Sequence, residues 1–358
     1  MATFGGAHWQ EYTTVLKQVL GIDVAQNELV VTFGRLIDDL AVDLVAHKVF
    51  KNTENDFCTL LLWIKKYRCP EVPLRFVMEA TGVYHQKFVY FLDEKGYEVS
   101  VVLPNKISNY QRTLDVKTIT DKSMSECIAR FGLERKLDNW KRPKTAFRNL
   151  QQLTRERNQI VDERSVVKNQ LHAHQVEAFP HEGSVNRLKA RIVFLNEQEA
   201  QIKKEIENEV VNDPEVSTSM RLICSIPGVG KLTAASILGE TNGFELIRNK
   251  RQLVSYAGFD VIEKTSGTSV KGKTRMSKKG NVHIRKAMFY PALSAIKNNE
   301  HFKEFYKRIV ERSGVKMKGV MAVSRKILEL IFVLFKNGEE YKMDYEKNRV
   351  EAQLILTL

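Results

Sequence analysis

The feature that most restricts the fold of this chain is a seven-residue apolar repeat between residues 144 and 209. Leu150, Leu153, Ile160, Val167 and Leu171 follow it, with Arg157 and Arg164 at two seam positions. After the turn "FPHEGS", Val185, Leu188, Ile192, Leu195, Ile202 and Ile206 repeat it more cleanly. The spacing predicts two long helices joined at Pro180 and Gly183, as an antiparallel hairpin or a dimerising coiled coil. An isolated two-helix arm leaves apolar surface exposed, so this stripe is also expected to build an oligomer. The arm divides the chain into an expected domain at 1–143, the coiled-coil arm at 144–212, a helical unit at 213–300 and a helical C-terminal extension at 301–358, whose "KGVMAVSRKILELIFVLFKNG" ends at Gly338.

Before the arm, the pattern is α/β. "VLGIDVAQNELVVTFGRL" reads as two strands joined at Gln26-Asn27, and "LAVDLVAHKVFKN" as a third. "DFCTLLLWIKKY" fits a helix, "PLRFVMEA" a short strand ending at Glu79, "GVYHQKFVYFLDEKG" a helix stopped by Gly96, and "YEVSVVLP" a further strand. Three strands followed by alternating helix and strand imply a mixed sheet with helices packed on it.

Charge separates the two halves. Formal net charge is +13, and residues 213–358 hold 26 Lys and Arg against 15 Asp and Glu. A basic half points to a polyanion, with nucleic acid the usual one because each neutralised phosphate releases counterions. The four cysteines form no C-x-x-C pair and the eight histidines no ligand pattern, which argues against a zinc site or a disulfide framework. The longest apolar run, Ile327 to Phe335, is short and holds Glu329, so no membrane partner is expected and a cytoplasmic protein is.

Three places could carry chemistry. Asp23 and Glu79 each interrupt an apolar strand, where an ionised carboxylate costs desolvation energy unless something pairs with it. Two acids on neighbouring strands would make a hard-oxygen metal site. Asp121, in "VKTITDKSMSECIARFG", can begin a helix capped by Thr120, with Ile128, Ala129 and Phe131 turned inward. In "SIPGVGKLTAASILGE", Gly228, Gly230 and Lys231 lie in a helix-hairpin-helix pattern whose second helix can turn backbone N–H groups towards a phosphate. Lys264 to Lys286 carries eight Lys and Arg and no acid: Lys264, Lys271, Lys273, Arg275, Lys278, Lys279, Arg285 and Lys286, with Ser266, Ser269 and Ser277 among them. Such cations suit a phosphodiester backbone, and a serine there either donates a hydrogen bond to phosphate or attacks the phosphorus.

"GIDVAQNELVV", "FVMEATGVYHQ", "VKTITDKSMSECIARFG", "SIPGVGKLTAASILGE", "QLVSYAGF" and "TSGTSVKGKTRMSKKGNVHIRKAM" occur in the order of the DEDD-type transposases of insertion sequence family one-hundred-and-ten, which the chain resembles over about residues 18–300. The resemblance implies a RuvC-like (ribonuclease H-like) domain, a coiled-coil arm and a C-terminal transposase domain with a conserved serine. It further implies a site-specific recombinase that chooses target and donor DNA with a structured bridge RNA, acts as a tetramer at the bacterial nucleoid, uses Mg²⁺, and brings the acidic domain of one protomer to the serine of another. Asp23, Glu79 and Asp121 match the first three acids of the family's tetrad, and Ser266, in the Ser266-Gly267 pair, matches its serine. Ser277 then reads as a phosphate or structural contact. The fourth acid is replaced by Met124, and thioether is a poor ligand for Mg²⁺. Either three carboxylates suffice, or a local distortion brings in Glu126, or the site is crippled; Ser123 and Ser125 are weaker ligands. A junction-resolving nuclease using metal-bound water and a decayed nucleic-acid-binding protein are the competing functions.

Overall fold

A nearly continuous apolar run makes β1 (Val15–Val24) the centre of the first unit in a computed structural model of the chain. The structure describes residues 14–80, 82–114, 118–245, 247–263, 265–266, 270–272 and 274–342. β1 turns back into β2 (Glu28–Ile37) and β3 (Val42–Lys51). Then follow α1 (Glu54–Ile64), β4 (Leu74–Glu79), α2 (Gln86–Glu94), β5 (Glu98–Val102), α3 (Pro104–Gln111) and α4 (Asp121–Glu134). The sheet order is β3-β2-β1-β4-β5. β1 pairs antiparallel with β2 and parallel with β4, which itself pairs parallel with β5. This is the expected mixed sheet with helices packed on it. Side chains alternate across β1. Leu20, Ile22 and Val24 join a core with Phe57 and Leu60 of α1 and Phe88 of α2, whereas Val19 joins another with Val77, Ile128 and Phe131.

The second face depends on glycine. A Cβ at Gly21 would lie 2.3 Å from the Ala129 nitrogen and 2.5 Å from the Ser125 carbonyl oxygen, so the α4 backbone rests directly on β1. One strand step further from the site, Gly132 of α4 leaves room for Val19 and Val77. At the start of β1, the Lys17 ammonium donates to the carbonyls of Gly132, Leu133 and Arg135, satisfying the open end of α4. α4 therefore runs antiparallel to β1. From Lys17 to Asp23 the strand rises about 20 Å, and the fourteen-residue helix is about as long. Pinning Lys17 to the helix C-terminus thus brings Asp121 level with Asp23.

The second unit, Pro143–Leu358, has its own core. α5 (Thr145–Gln175) and α6 (Glu182–Asn212) are 31 residues each. Their ion pairs run antiparallel: Arg157 to Glu199 at 2.9 Å and Arg191 to Glu163 at 3.2 Å. Leu195, Ile202 and Ile206 are buried in the same core as Leu150, Ile160 and Val167. The heptad stripe is thus internal packing of a helical hairpin. Along the same stripe Leu153, Leu171, Val185, Leu188 and Ile192 are only partly buried by the chain's own partner helix.

Glu199 explains the two seam arginines. It occupies a buried seam position on α6 and pairs with Arg157, Arg164 and Lys203. Burial pushes its carboxyl up, but the hydrogen bonds from Lys203, Arg164 and Arg157 overcome that and hold it down at about 2.

At the arm's base, α7 (Pro214–Cys224) and α8 (Lys231–Thr241) are joined by a turn in which Val229 N–H donates to Ile226 at 3.0 Å and Gly228 has φ +88°. Pro227 followed by Gly228 at positive φ is the chemistry of a type II turn. α9 (Lys250–Ala257) leads into short strands, β6 (Val261–Ile262), β7 (Thr265–Ser266), β8 (Val270–Lys271) and β9 (Arg275–Met276). Four helices complete the unit: α10 (Val282–Ala287), α11 (Phe289–Asn298), α12 (Glu300–Ser313) and α13 (Lys316–Asn337). The basic stretch of the expected helical unit is therefore built from paired strands, β6 with β9 and β7 with β8. The stretches 144–212, 213–300 and 301–358 share one core, with Ile327, Leu328 and Ile331 of α13 fully buried in it. Among the described residues no helix is long and apolar enough to cross a membrane.

Two outcomes follow for stability. Gly21→Ala should lower the melting temperature of the chain and cost about 1–3 kcal/mol by calorimetry, since α4 must lift from β1. Glu199→Gln should cost about 1–3 kcal/mol at pH 7, because it leaves three cations without their carboxylate. Its folded value lies below the ordinary 4.5, so the ion-pair contribution is present above that value and is lost as pH falls from 4.5 towards 2. The difference in stability between wild type and Glu199→Gln should shrink over that window.

Candidate acidic site and basic hairpins

The strand register places the first two acids. Ile22 of β1 is paired with Met78 of β4, so one step on Asp23 and Glu79 stand side by side near the C-terminal ends of two parallel strands. Chain connections leave β1 and β4 in opposite directions across the sheet, the arrangement that opens a crevice at strand C-termini. Ile22 and Met78 face the α1–α2 core, so Asp23 and Glu79 face the α4 side. Asp121 comes to that side as the first residue of α4. Its helix starts there because Thr120 accepts from Ser123 N–H at 3.1 Å while Ser123 Oγ accepts from Thr120 N–H at 2.8 Å, a reciprocal cap.

Asp23 feels the charges of the other two carboxylates. Asp23 is half-buried, and its pKa is raised from 3.8 to about 6, first by desolvation, then by the charges of Asp121 and Glu79. Glu79 also helps to raise the Cys127 thiol, which burial chiefly pushes up to about 11. Desolvation and like charge together are the conditions under which a hard cation binds carboxylate oxygens. Among the described residues, no three His, Cys, Asp or Glu side chains form a group that could hold a metal ion as they stand. The acids meet through their fields, and closing them round an ion requires side-chain movement.

Met124 is partly buried and packs into the core between α4 and the sheet. Glu126 does not substitute for it. α4 is regular from Asp121 to Glu134, and Glu126 pairs with Lys122 at 3.9 Å. Its field reaches His47 on β3 instead. Ser125 is also used, exchanging a 2.7 Å hydrogen bond with Thr32 of β2.

The basic residues have different roles. The backbone of Ser266 lies in β7, opposite Val270 of β8. Lys264, Gly267, Ser269 and Lys273 lie outside the described residues, and Lys271 is described for its backbone alone. Ser277 donates to Asp260 at 2.6 Å and accepts from Lys279 N–H at 3.2 Å, which fixes it as a structural contact. Arg275, Lys278 and Lys279 are exposed. Arg285 turns inward and donates to the Ala257 carbonyl at 2.6 Å. Lys231, at the start of α8, pairs with Glu207 of α6 at 3.1 Å, and Lys286 with Asp162 at 2.9 Å.

Sequence reasoning missed what holds this loop. Glu240 of α8 is buried and takes two hydrogen bonds from Arg155 of α5, at 2.6 and 2.8 Å, and one from Asn281 at 2.7 Å. Asn281 in turn caps α10 through His283 and Ile284 N–H. An acid inside the apolar run "AASILGE" is the signal that singled out Asp23, and it would have found Glu240 too.

Two family models match the chain. One, described as Transposase (DEDD_Tnp_IS110), covers residues 20–180, and one described as Transposase IS116/IS110/IS902 family covers residues 220–307. The pilin gene-inverting protein of Moraxella bovis is 24% identical over 326 residues, 91% of this chain and 98% of that protein. The transposase for insertion sequence element IS1111A of Coxiella burnetii is 30% identical over 122 residues, 33% of each chain. Among solved structures, T. thermophilus RuvC in complex with Holliday junction substrate matches at 14% identity and a TM-score of 0.23, over 31% of this chain and 90% of that one.

The electrostatics of Asp23 give a test that needs no turnover. Its folded pKa lies above the unfolded value, so ionisation costs stability as pH rises from 3.8 through about 6. Asp23→Asn should raise the melting temperature of metal-free protein at pH 7.5 by about 2–5 °C, and the gain should vanish below pH 4. Added Mg²⁺ should stabilise wild type and leave Asp23→Asn unchanged. A wild type indifferent to Mg²⁺ in calorimetry overturns the metal assignment.

Proposed function

This chain belongs to the IS110-type transposase family and is an enzyme acting on DNA, and from that premise we propose that it is a site-specific recombinase guided by a structured bridge RNA. The observation that carries the reading is the placement of Asp23, Glu79 and Asp121 at the ends of β1 and β4 and the start of α4, where the charges of the other two act on Asp23. These three residues would hold Mg²⁺ once their side chains close round it. The ion, when bound, supplies Lewis-acid stabilisation of charge on phosphate oxygens. Three carboxylates serve without a fourth, since Met124 is committed to packing and Glu126 to Lys122.

The chemistry proposed for Ser266 is a transesterification. Its hydroxyl oxygen forms a bond to a DNA phosphorus, the serine proton leaves, and the displaced DNA oxygen departs as a hydroxyl. A hydroxyl from the second DNA then attacks the phosphoserine, restoring the serine and joining the strands. Each step exchanges one phosphoester for another, so no nucleotide cofactor is consumed. Exposed Arg275, Lys278 and Lys279 lie along the same basic stretch and suit the phosphodiester backbone. The turn at Gly228 and Gly230 before α8 acts as a helix-hairpin-helix contact to DNA, with Lys231 beside it. The guide RNA, the paired target and donor DNA and a tetrameric assembly rest on the family resemblance and on the excess of cations in residues 213–358. Assembly through the arm would draw on the partly buried stripe positions Leu171, Val185, Leu188 and Ile192 and on the outer face, where Val166, Val193 and Phe194 are more than half exposed.

The test is covalent capture. Ser266→Ala should bind DNA and RNA as wild type does, yet form no protease-sensitive protein–DNA adduct and no recombinant product. Ser277→Ala should keep the adduct while losing about 1–3 kcal/mol of stability, because Asp260 is left without its partner. An adduct that survives Ser266→Ala assigns the wrong serine. Recombination by wild type with no adduct under trapping conditions favours a metal-dependent junction-resolving nuclease.

A further inference from the structure

Between the arm and the basic loop, the second unit holds an open groove of about 700 Å³. Its floor is apolar, with Leu232 of α8, Met276 of β9, Phe289 of α11 and Met321 of α13. Four cations line it, Arg157, Lys278, Arg285 and Lys286, against the single acid Asp162; Arg157 pairs with Glu199, Lys286 with Asp162 and Arg285 with the Ala257 carbonyl, while Lys278 is exposed. Ser236 of α8 also lines it. That side chain is 4% exposed, and its buried hydroxyl has no hydrogen-bond partner. An unpaired buried hydroxyl costs free energy unless a ligand answers it. At the mouth stands Tyr290, an aromatic ring left 76% exposed.

An apolar floor, a polar atom awaiting a partner, an exposed ring and an exposed cation, Lys278, together match one chemistry. A nucleotide has a flat π-face for Tyr290, polar edges for Ser236 and an anionic phosphate for Lys278. A paired duplex cannot offer its bases to such a groove, whereas an unpaired nucleotide can. Lys278 and Met276 follow the Ser266 hairpin closely in the chain, so the occupant is taken from the DNA strand being processed.

We propose that this groove accepts an unpaired nucleotide of the DNA strand, stacked on Tyr290; this rests on the reading of the chain as a DNA recombinase. The full-length protein would be titrated with a duplex carrying one unpaired 2-aminopurine, with the same duplex fully paired, and with an RNA duplex bearing the same bulge. Wild type should bind the bulged DNA about five- to a hundredfold more tightly than the paired one and quench 2-aminopurine fluorescence. Tyr290→Ala should erase that preference and the quenching while binding paired duplex and forming the Ser266 adduct as wild type does. Thr233→Trp, which fills the groove, should do the same. Equal binding of bulged and paired DNA by wild type, a preference that survives Tyr290→Ala, or a preference confined to RNA overturns the proposal. Loss of paired-duplex binding and of the adduct in wild type overturns instead the reading on which it rests.

Discussion

The close approach of α4 to β1 is the constraint on which the acidic site depends. With no side chain at Gly21, helix backbone meets strand backbone, and Lys17 fixes the register by binding the far carbonyls of the helix. The strand and helix are equally long, so fixing one end sets the other. Asp121 and Asp23 meet because Lys17 and Gly132 do. The positive end of the α4 dipole then lies beside three carboxylates and offsets part of their repulsion.

That repulsion is not fully offset. With its carboxyl raised to about 6, Asp23 is mostly ionised at neutrality, so the site carries electrostatic strain that a bound cation would relieve. The position four residues before Ile128, where a further carboxylate would deepen the strain, is Met124, which adds packing instead. A fourth carboxylate would raise both the affinity for a cation and the cost of folding without one. This chain sits at the gentler end of that exchange.

Much of this was legible. Apolar alternation and the acids that break it located β1, β4 and their carboxylates, and Thr120 before Asp121 marked the start of α4. The heptads located both arm helices and their turn. What the repeat left open was whose helix covers the stripe, because an apolar seam is the same whether its partner lies in one chain or two. Arg157 and Arg164 held part of the answer: a cation in a seam needs an acid opposite, and Glu199 lies at the matching position of α6. The short strands around Ser266 were not legible, since two-residue ladders leave no periodicity. Nor was the inward turn of Arg285, which depends on the carbonyl of Ala257, distant in sequence. The pairing of Ser277 with Asp260 was likewise hidden, because nothing local in "MSKKG" points seventeen residues back.

The tie between Arg155 and Glu240 has a mechanical consequence. From Arg155 to the end of α5 at Gln175 is a rod of about 30 Å. A sideways displacement of about 3 Å at its far end turns the rod by about 6° at the tie, in the small-angle limit of that geometry. Glu240 is also bonded to Asn281, which starts α10 and ends the loop of Lys278 and Lys279. Force applied to the remote end of the arm would therefore arrive as torque at the carboxylate that anchors this loop, and a load on the arm would be read as a shift of Lys278 and Lys279.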